Sequence, residues 1–180
     1  YLERLQSVKD EGKDDLPAIT GVFNSPLLSF SEALIPVVKL YRSLGTYIQR
    51  SVHFSGTKIG SKMAGELTKD EISALYLYTC ESVFYKKLNA ALRNANRYKI
   101  KPFIAYLRIL FSALGKIRQY KKSLWRGVAL DLTRLYPKGR TITWWGVSSC
   151  TARQSVAMGF LGYRGRRTLF EIIPSSAVGI

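Results

Sequence analysis

The sequence predicts an α+β fold in which a helical part precedes a part rich in β-strands. Apolar residues recur at helical spacing through the first two thirds of the chain, and runs rich in aromatic and β-branched residues follow Tyr120. Because the helices precede the strands and do not alternate with them, a doubly wound parallel sheet is not expected. Hydrophobic residues make up 47% of the 180 residues, so a real packed core is expected.

The composition along the chain predicts one domain behind a short lead-in segment. Residues 1–28 mix charge, Gly and Pro, and we expect them to be the lead-in. The single domain then covers residues 29–180, with a helical part over 29–119 and a β-rich part over 120–180. The chain does not begin with Met and stops on an apolar stretch, so we expect the C-terminal portion of the domain to be missing.

The first helix is predicted from Ser29, because Glu32 three residues later completes a capping box. Its apolar stripe continues at helical spacing to Ile48. The next stretch, HFSGTKIGSKMAGE over residues 53–66, is rich in Gly, Ser and Lys and is predicted to be a loop. That loop contains no Walker phosphate-binding motif.

The clearest helix is predicted over residues 67–94, where Thr68 and Glu71 form a second capping box. A further helix is expected after Pro102, a residue that suits the first turn. The apolar stripes of these helices are predicted to be core, and the residues expected to be mostly buried are Leu75, Tyr76, Leu107 and Leu110.

Three strands are predicted after Tyr120, namely SLWRGVAL over 123–130, TITWWGVSS over 141–149 and RTLFEII over 167–173. The YPKGR segment between the first two carries Gly and Pro and is predicted to be a turn. The segment TARQSVAM from Thr151 is expected to be a helix.

The charge is strongly basic, with 28 Lys and Arg against 12 Asp and Glu, a net charge of +16. This excess favours an anionic partner such as a nucleotide or nucleic acid, although a solvated basic face is an equally simple interpretation. A basic nucleic-acid-binding domain is therefore an alternative, but it is not favoured. The aromatic residues fall in apolar stripes, and the sequence contains no nucleic-acid-binding signature.

Several site classes find no support in the sequence. The two cysteines, Cys80 and Cys150, are too few for a disulfide framework, and with the single His53 they are too few for the usual four ligands of a zinc site. No apolar run approaches the length of about 20 residues that spans a bilayer. We therefore expect neither a metal nor a membrane span.

One arginine and a cluster of hydroxyls stand out as candidates for chemistry. Arg126 lies among apolar residues in a predicted strand, and its planar guanidinium suits a phosphate or carboxylate. Gly127 leaves room for a ligand near the backbone. The hydroxyls of Ser148, Ser149 and Thr151 would orient the arginine or bind a sugar. A structural ion pair of Arg126 and capping of the next helix by the hydroxyls are the alternatives.

The order of several segments resembles the arginine-type mono-ADP-ribosyltransferases, in the branch whose members share an Arg–Ser–Glu set. The segments, all after residue 66, are LTKDEISALYLYT, KPFIAYLRILFSAL, LWRGV, YPKGRTITWWGVSSCT, FLG and RTLFEI. LWRGV and YPKGRTITWWGVSSCT are the specific ones. The resemblance implies an ADP-ribosyltransferase-like fold, with the helical part packed on a mixed β-sandwich core.

The resemblance also implies a role for each candidate. Arg126 corresponds to the strand arginine that holds the phosphate and ribose region of NAD, and the backbone of Gly127 to the contact with the nicotinamide amide. Ser149 is the best match to the first serine of the family's Ser-Thr-Ser pattern, and the neighbouring Ser148 is the alternative match. Arg126 and Ser149 correspond to the catalytic set, and Thr151 joins the NAD-binding residues. The family often has an aromatic residue two places before that serine, where this chain has Val147.

The third catalytic residue, a glutamate in a Glu-x-Glu loop, is absent from the 180 residues. Glu171 lies within a predicted strand with no acid two positions away, so it is interpreted as a surface or salt-bridge residue. A carboxylate stabilises the oxocarbenium-like transition state as nicotinamide leaves, so this fragment is expected to be inactive.

The intact protein is expected to transfer ADP-ribose from NAD to an exposed arginine of an acceptor protein and to release nicotinamide. NAD is then a consumed substrate and not a recycled cofactor. A catalytically dead relative that only binds NAD is the remaining alternative.

Overall fold

The structure, a computed structural model, describes residues 16–61, 64–175 and 177. Within these residues the chain forms two compact units, one over residues 17–117 and one built mainly from residues 118–179. Of the predicted lead-in segment, residues 1–15 lie outside the described residues.

The first unit is helical. Its described residues form five α-helices and two short 3₁₀ segments, in chain order α1 (Phe30–Leu40), Arg42–Leu44, α2 (Gly45–Lys58), α3 (Lys69–Thr79), α4 (Val83–Leu92), Arg97–Phe103 and α5 (Ile104–Lys116). This agrees with the prediction that helices occupy the first two thirds of the chain.

Both predicted capping boxes are confirmed. The Glu32 backbone N–H donates to the hydroxyl of Ser29 at 3.3 Å, and the Ser29 N–H donates to the Glu32 carboxylate at 3.1 Å. At α3 the Glu71 N–H donates to the Thr68 hydroxyl at 3.2 Å, while the Thr68 N–H donates to the Glu71 carboxylate at 2.8 Å. Each box satisfies backbone donors that the first turn of a helix leaves unpaired.

The single helix predicted over residues 67–94 is wrong, because α3 ends at Thr79 and α4 begins at Val83. The hydroxyl of Ser82 accepts a hydrogen bond from the Phe84 N–H at 3.3 Å. A second N-cap thus lies inside the periodic apolar pattern, and it starts a new helix where the spacing alone predicts continuation.

The loop predicted over residues 53–66 is also partly wrong, because α2 continues to Lys58. The small residues Ser51 and Ser55 of this helix are buried. The Ser73 hydroxyl of α3 donates to the Lys69 carbonyl of its own helix at 2.8 Å and also lies 3.3 Å from the Ser51 carbonyl of α2. Small side chains permit close approach of two helices. The serines therefore serve helix packing at this position.

The predicted core residues are buried with one exception. Leu75, Leu107 and Leu110 are each at most 6% exposed. Tyr76 is half-buried and stacks on Phe54 with ring centroids 4.2 Å apart.

The second unit contains a small antiparallel sheet and a short helix. Strand β1 (Leu124–Val128) pairs with strand β2 (Thr168–Ile172), and helix α6 (Gln154–Gly159) lies between them in sequence. The first and third predicted strands are thus confirmed, as is the predicted helix near residue 154. The unit shows a mixed helix and sheet structure, compatible with the expected fold; a β-sandwich remains a prediction.

The strand predicted over residues 141–149 is wrong. In the part of the chain that the structure describes, this segment belongs to no strand, and the pairing next to it is a single bridge between Thr151 and Trp125. Aromatic and β-branched composition indicates a surface that suits a sheet, but a strand also needs a continuous backbone partner.

No helix among the described residues has both the length and the apolar character that a membrane crossing requires.

Candidate functional site

Arg126 lies at the centre of β1, which has a neighbour on each edge. On one edge, Arg126 is paired directly opposite Phe170 of β2. On the other edge, the Trp125 N–H donates to the Thr151 carbonyl at 2.7 Å and the Thr151 N–H donates to the Trp125 carbonyl at 2.9 Å. We call residues 148–151 the hydroxyl-rich segment. The structure therefore places the candidate arginine and the end of this segment on neighbouring stretches of backbone that are hydrogen-bonded to each other.

The two faces of β1 have different surroundings. Val128 and Arg126 share one face because side chains two apart along a strand point the same way. Val128 is buried there against Leu132, with Tyr136 and Phe170 packed around them. This face is therefore apolar, with a guanidinium at its centre.

Gly127 points to the opposite face and contacts α6. A Cβ atom at this position would lie 2.1 Å from the carbonyl oxygen of Ala157 and 3.1 Å from a methyl carbon of Leu161. The space that the glycine leaves on this side is thus filled by the helix, a packing role that sequence reasoning missed. The contact of its backbone with nicotinamide stays a prediction.

Three aromatic rings form a cluster beside Arg126. The rings of Tyr136, Trp144 and Phe170 meet edge-on, with centroid distances of 4.9 to 6.3 Å. The indole N–H of Trp144 donates to the Tyr136 hydroxyl at 2.8 Å. The guanidinium carbon of Arg126 lies 5.3 Å from the centroid of the Trp144 ring, within the range of a cation–π interaction.

An open cleft of about 560 Å³ adjoins this cluster. Tyr136, Trp144 and Phe170 form part of its wall, together with Arg140 and Glu171. Another open cleft, of about 380 Å³, lies on the helical unit between Arg50, His53 and Tyr76. None of the predicted site residues lines either cleft.

The hydroxyl-rich segment has three different environments. The Thr151 hydroxyl accepts a hydrogen bond from the Arg153 N–H at 3.2 Å just before α6, but no side chain of the described residues caps this helix, so the predicted capping alternative is wrong. The side chain of Ser149 is exposed and lies outside both strands. The hydroxyl oxygen of Ser148 is buried and has no hydrogen-bond partner within the described chain. The catalytic and binding roles of these residues stay predictions.

The loop after β1 is fixed from two sides. The Thr168 hydroxyl of β2 donates to the Leu130 carbonyl at 2.8 Å. The Asp131 carboxylate accepts from the hydroxyl and the N–H of Thr133 at 2.6 and 3.0 Å and from Arg166 at 3.2 Å. These contacts lower the pKa of Asp131 to about 2, so the carboxylate is charged at neutral pH. The loop that leads to the aromatic cluster is thereby held to β2.

Sequence reasoning placed Tyr136 in a turn and Trp144 in a strand and gave neither a role at the site. The aromatic-rich segment that follows a strand arginine is the signal that would have indicated a cation–π partner. The interpretation of Glu171 as a surface residue is confirmed, since it is exposed on β2, opposite Trp125.

The residues that the structure describes contain no group of three or more His, Cys, Asp or Glu side chains placed to hold a metal ion.

The chain was compared with known protein families, curated proteins and solved structures. Residues 46–180 match the family model described as NAD:arginine ADP-ribosyltransferase. The matched region contains β1, the hydroxyl-rich segment and β2. No curated protein and no solved structure was found to match the chain.

Proposed function

This chain belongs to the NAD:arginine ADP-ribosyltransferase family, and we propose that Arg126 binds the phosphate and ribose region of NAD. Family membership supports mono-ADP-ribosyl transfer from NAD as the class of activity. The acceptor, in our proposal, is an exposed arginine of another protein. The observation that carries the proposal is the position of Arg126, in a strand paired on both edges with its guanidinium beside the Trp144 ring.

The chemistry of this position suits a dinucleotide. A guanidinium presents its N–H donors in a planar fork that matches two oxygens of a phosphate. The net charge of +16 also favours the approach of an anion such as NAD. A strand paired at both edges gives the arginine a rigid backbone, which favours a defined binding geometry.

The hydroxyl-rich segment supplies the second part of the proposed site. By resemblance Ser149 supports the active site, with Thr151 and the backbone of Gly127 completing the contacts to NAD. Ser148 is the competing assignment, and its buried hydroxyl without a partner in the described chain favours a ligand contact there. Because the proposal follows the family resemblance, Ser149→Ala is expected to weaken NAD binding more than Ser148→Ala. The reverse order would move the assignment to Ser148.

The 180 residues contain no Glu-x-Glu sequence. We propose that these residues bind NAD without efficient transfer, because the carboxylate that stabilises the oxocarbenium-like transition state is not among them. The same observation favours a second candidate function, an NAD-binding relative that does not catalyse transfer. The two candidates share the Arg126 site and differ in whether a catalytic carboxylate acts on the bound NAD.

Calorimetric titration with NAD tests the proposal. Arg126→Ala is expected to weaken binding at least tenfold, about 1.4 kcal/mol or more. Arg126→Lys is expected to restore only part of the affinity, because an ammonium lacks the planar fork. Arg164→Ala, which removes an exposed arginine from the loop before β2, is the matched control. Equal affinities for the wild type and Arg126→Ala would contradict the proposal.

A further inference from the structure

We infer that Trp144 is a positioning residue, whose indole holds the Arg126 guanidinium by its face and directs its N–H donors toward a bound phosphate. The inference rests on the proposed function, in which Arg126 binds NAD. Trp144 acts through Arg126 in this scheme and does not itself touch NAD.

The guanidinium carbon of Arg126 lies over the Trp144 ring. The guanidinium carbon lies 5.3 Å from the centroid of the Trp144 ring, and tryptophan is the ring that attracts a cation most strongly. All the N–H donors of a guanidinium lie in its plane, so contact through the face does not consume them. An aromatic platform therefore fixes the direction of the guanidinium and leaves the geometry of its donors suited to an anion.

The indole is itself held in place. Its N–H donates to the Tyr136 hydroxyl at 2.8 Å, and the Phe170 ring meets it edge-on at 5.5 Å and 86°. Phe170 is the residue paired opposite Arg126 in the sheet. The pairing of β1 with β2 therefore fixes the position of Arg126 and also that of Phe170, the ring that contacts Trp144.

An arginine side chain can adopt many rotamers, and a ligand that binds it must restrict these rotamers at a cost in conformational entropy. A ring that orients the guanidinium in advance lowers that cost. Replacement of Trp144 is therefore expected to weaken NAD binding even though the charge of Arg126 remains.

A double-mutant cycle measures this dependence. Trp144→Leu is expected to weaken NAD binding about tenfold, at the upper range of a partly buried cation–π contact. Trp144→Phe, which keeps an aromatic face, is expected to recover part of the loss. In an Arg126→Ala background, Trp144→Leu is expected to have no further effect. Tyr163→Leu removes a fully exposed aromatic ring and is the control, with affinity expected within about twofold of wild type.

The cycle also separates a positioning role from other roles. Additive effects of Trp144→Leu and Arg126→Ala would mean that Trp144 contacts NAD directly or acts through the fold, and would overturn the inference. Thermal unfolding of each variant shows whether the fold is retained. Tyr136→Phe, which removes only the hydroxyl that holds the indole, offers a milder change if Trp144→Leu does not fold.

A spectrum of the ligand-free protein gives a test that does not need NAD. In ¹H–¹⁵N spectra of arginine-labelled protein, the Arg126 Nε–H signal is identified by its loss in Arg126→Lys. We expect this signal to be shifted by the ring current of Trp144 and to return toward the usual position in Trp144→Leu. A shifted signal in a protein that does not bind NAD would contradict the proposed function but leave the Trp144 contact intact. An unshifted signal in a protein that binds NAD would overturn this inference alone.

Discussion

Trp125 and Thr151 exchange two backbone hydrogen bonds, with N···O distances of 2.7 and 2.9 Å. This bridge joins the hydroxyl-rich segment to β1, the strand that carries Arg126. Arg126 directly follows Trp125 in the sequence. The contact uses only backbone atoms, so side-chain composition around Thr151 does not reveal it. The predicted site therefore depends on strand pairing as much as on residue identity.

Gly127→Ala is predicted to destabilise the β-rich unit by about 1–3 kcal/mol, as overpacking of a well-packed contact does. The added Cβ would lie 2.1 Å from the carbonyl oxygen of Ala157, and α6 has to move to accept it. Urea denaturation measures the change. Gly159→Ala is the control, because Gly159 lies in α6 and a Cβ at that position would meet no atom within 4 Å. Equal losses in the two variants would show that α6 does not pack on Gly127.

Leu110→Ala is predicted to lower the free energy of unfolding of the helical unit by about 2–5 kcal/mol, because it leaves a cavity in the core. Leu110 is 1% exposed on α5. Leu40→Ala, at the exposed end of α1, is the matched control and is expected to change stability by about 0.5 kcal/mol or less. Chemical denaturation followed by circular dichroism compares the two. A loss no larger than that of the control would mean that the stripe of α5 is not core.

Glu71 links α3 to α5 through a buried carboxylate. Burial acts to raise the pKa of Glu71, but hydrogen bonds from the Thr68 N–H, the Lys116 ammonium and the Ser112 hydroxyl outweigh it and lower the pKa below 4.5. The Lys116 and Ser112 contacts measure 2.9 and 2.7 Å. A lowered pKa in the folded state means that the charged carboxylate stabilises the fold above its ordinary pKa. That stabilisation is lost as the pH falls through the lowered value.

Glu71→Gln is accordingly predicted to lower the free energy of unfolding by about 1–3 kcal/mol at neutral pH, the usual range for hydrogen bonds to a charged group. The difference in free energy of unfolding between this variant and the wild type should become smaller in acid, because protonation removes the same charge from Glu71 of the wild type. Urea denaturation at neutral and acidic pH measures this. Glu66→Gln, at an exposed position, is the control. A difference that grows as the pH falls would contradict the assigned direction.

The 180-residue chain is predicted to transfer no more ADP-ribose than its Arg126→Ala variant. It has the arginine proposed to bind NAD but no Glu-x-Glu sequence to stabilise the oxocarbenium-like transition state. The assay follows labelled ADP-ribose from NAD to an arginine-rich acceptor protein. Robust transfer would show that the catalytic acid lies elsewhere in these residues. Glu171→Gln would then be the first variant to test, since Glu171 is exposed beside the aromatic cluster.

Local features of the fold were predictable from sequence. The capping boxes at Ser29 and Thr68 need only residues three apart, so both were identified correctly. The break before Val83 was missed because an apolar stripe continued across it. The strand predicted over residues 141–149 failed for a different reason, since pairing depends on a distant partner that composition does not specify.

The candidate site was predictable only in part. The strand arginine was recognisable because a cation among apolar residues requires a partner, and the family resemblance gave it a role. The Trp144 contact was not predictable, because it depends on the loop after β1 and on β2 meeting in space. The contact of Gly127 with Ala157 was missed for the same reason, although the glycine itself was noted.

The most direct test of the central claim, that Arg126 binds NAD, is an NAD titration followed in ¹H–¹⁵N spectra of arginine-labelled protein. The account predicts that the Arg126 Nε–H signal moves in a saturable way, while the signal of the exposed Arg164 stays in place. Inorganic pyrophosphate should move the same signal, since the phosphate region is the part that the guanidinium contacts. An Arg126 signal that does not move while NAD binds elsewhere, or a protein that binds no NAD, would contradict the account.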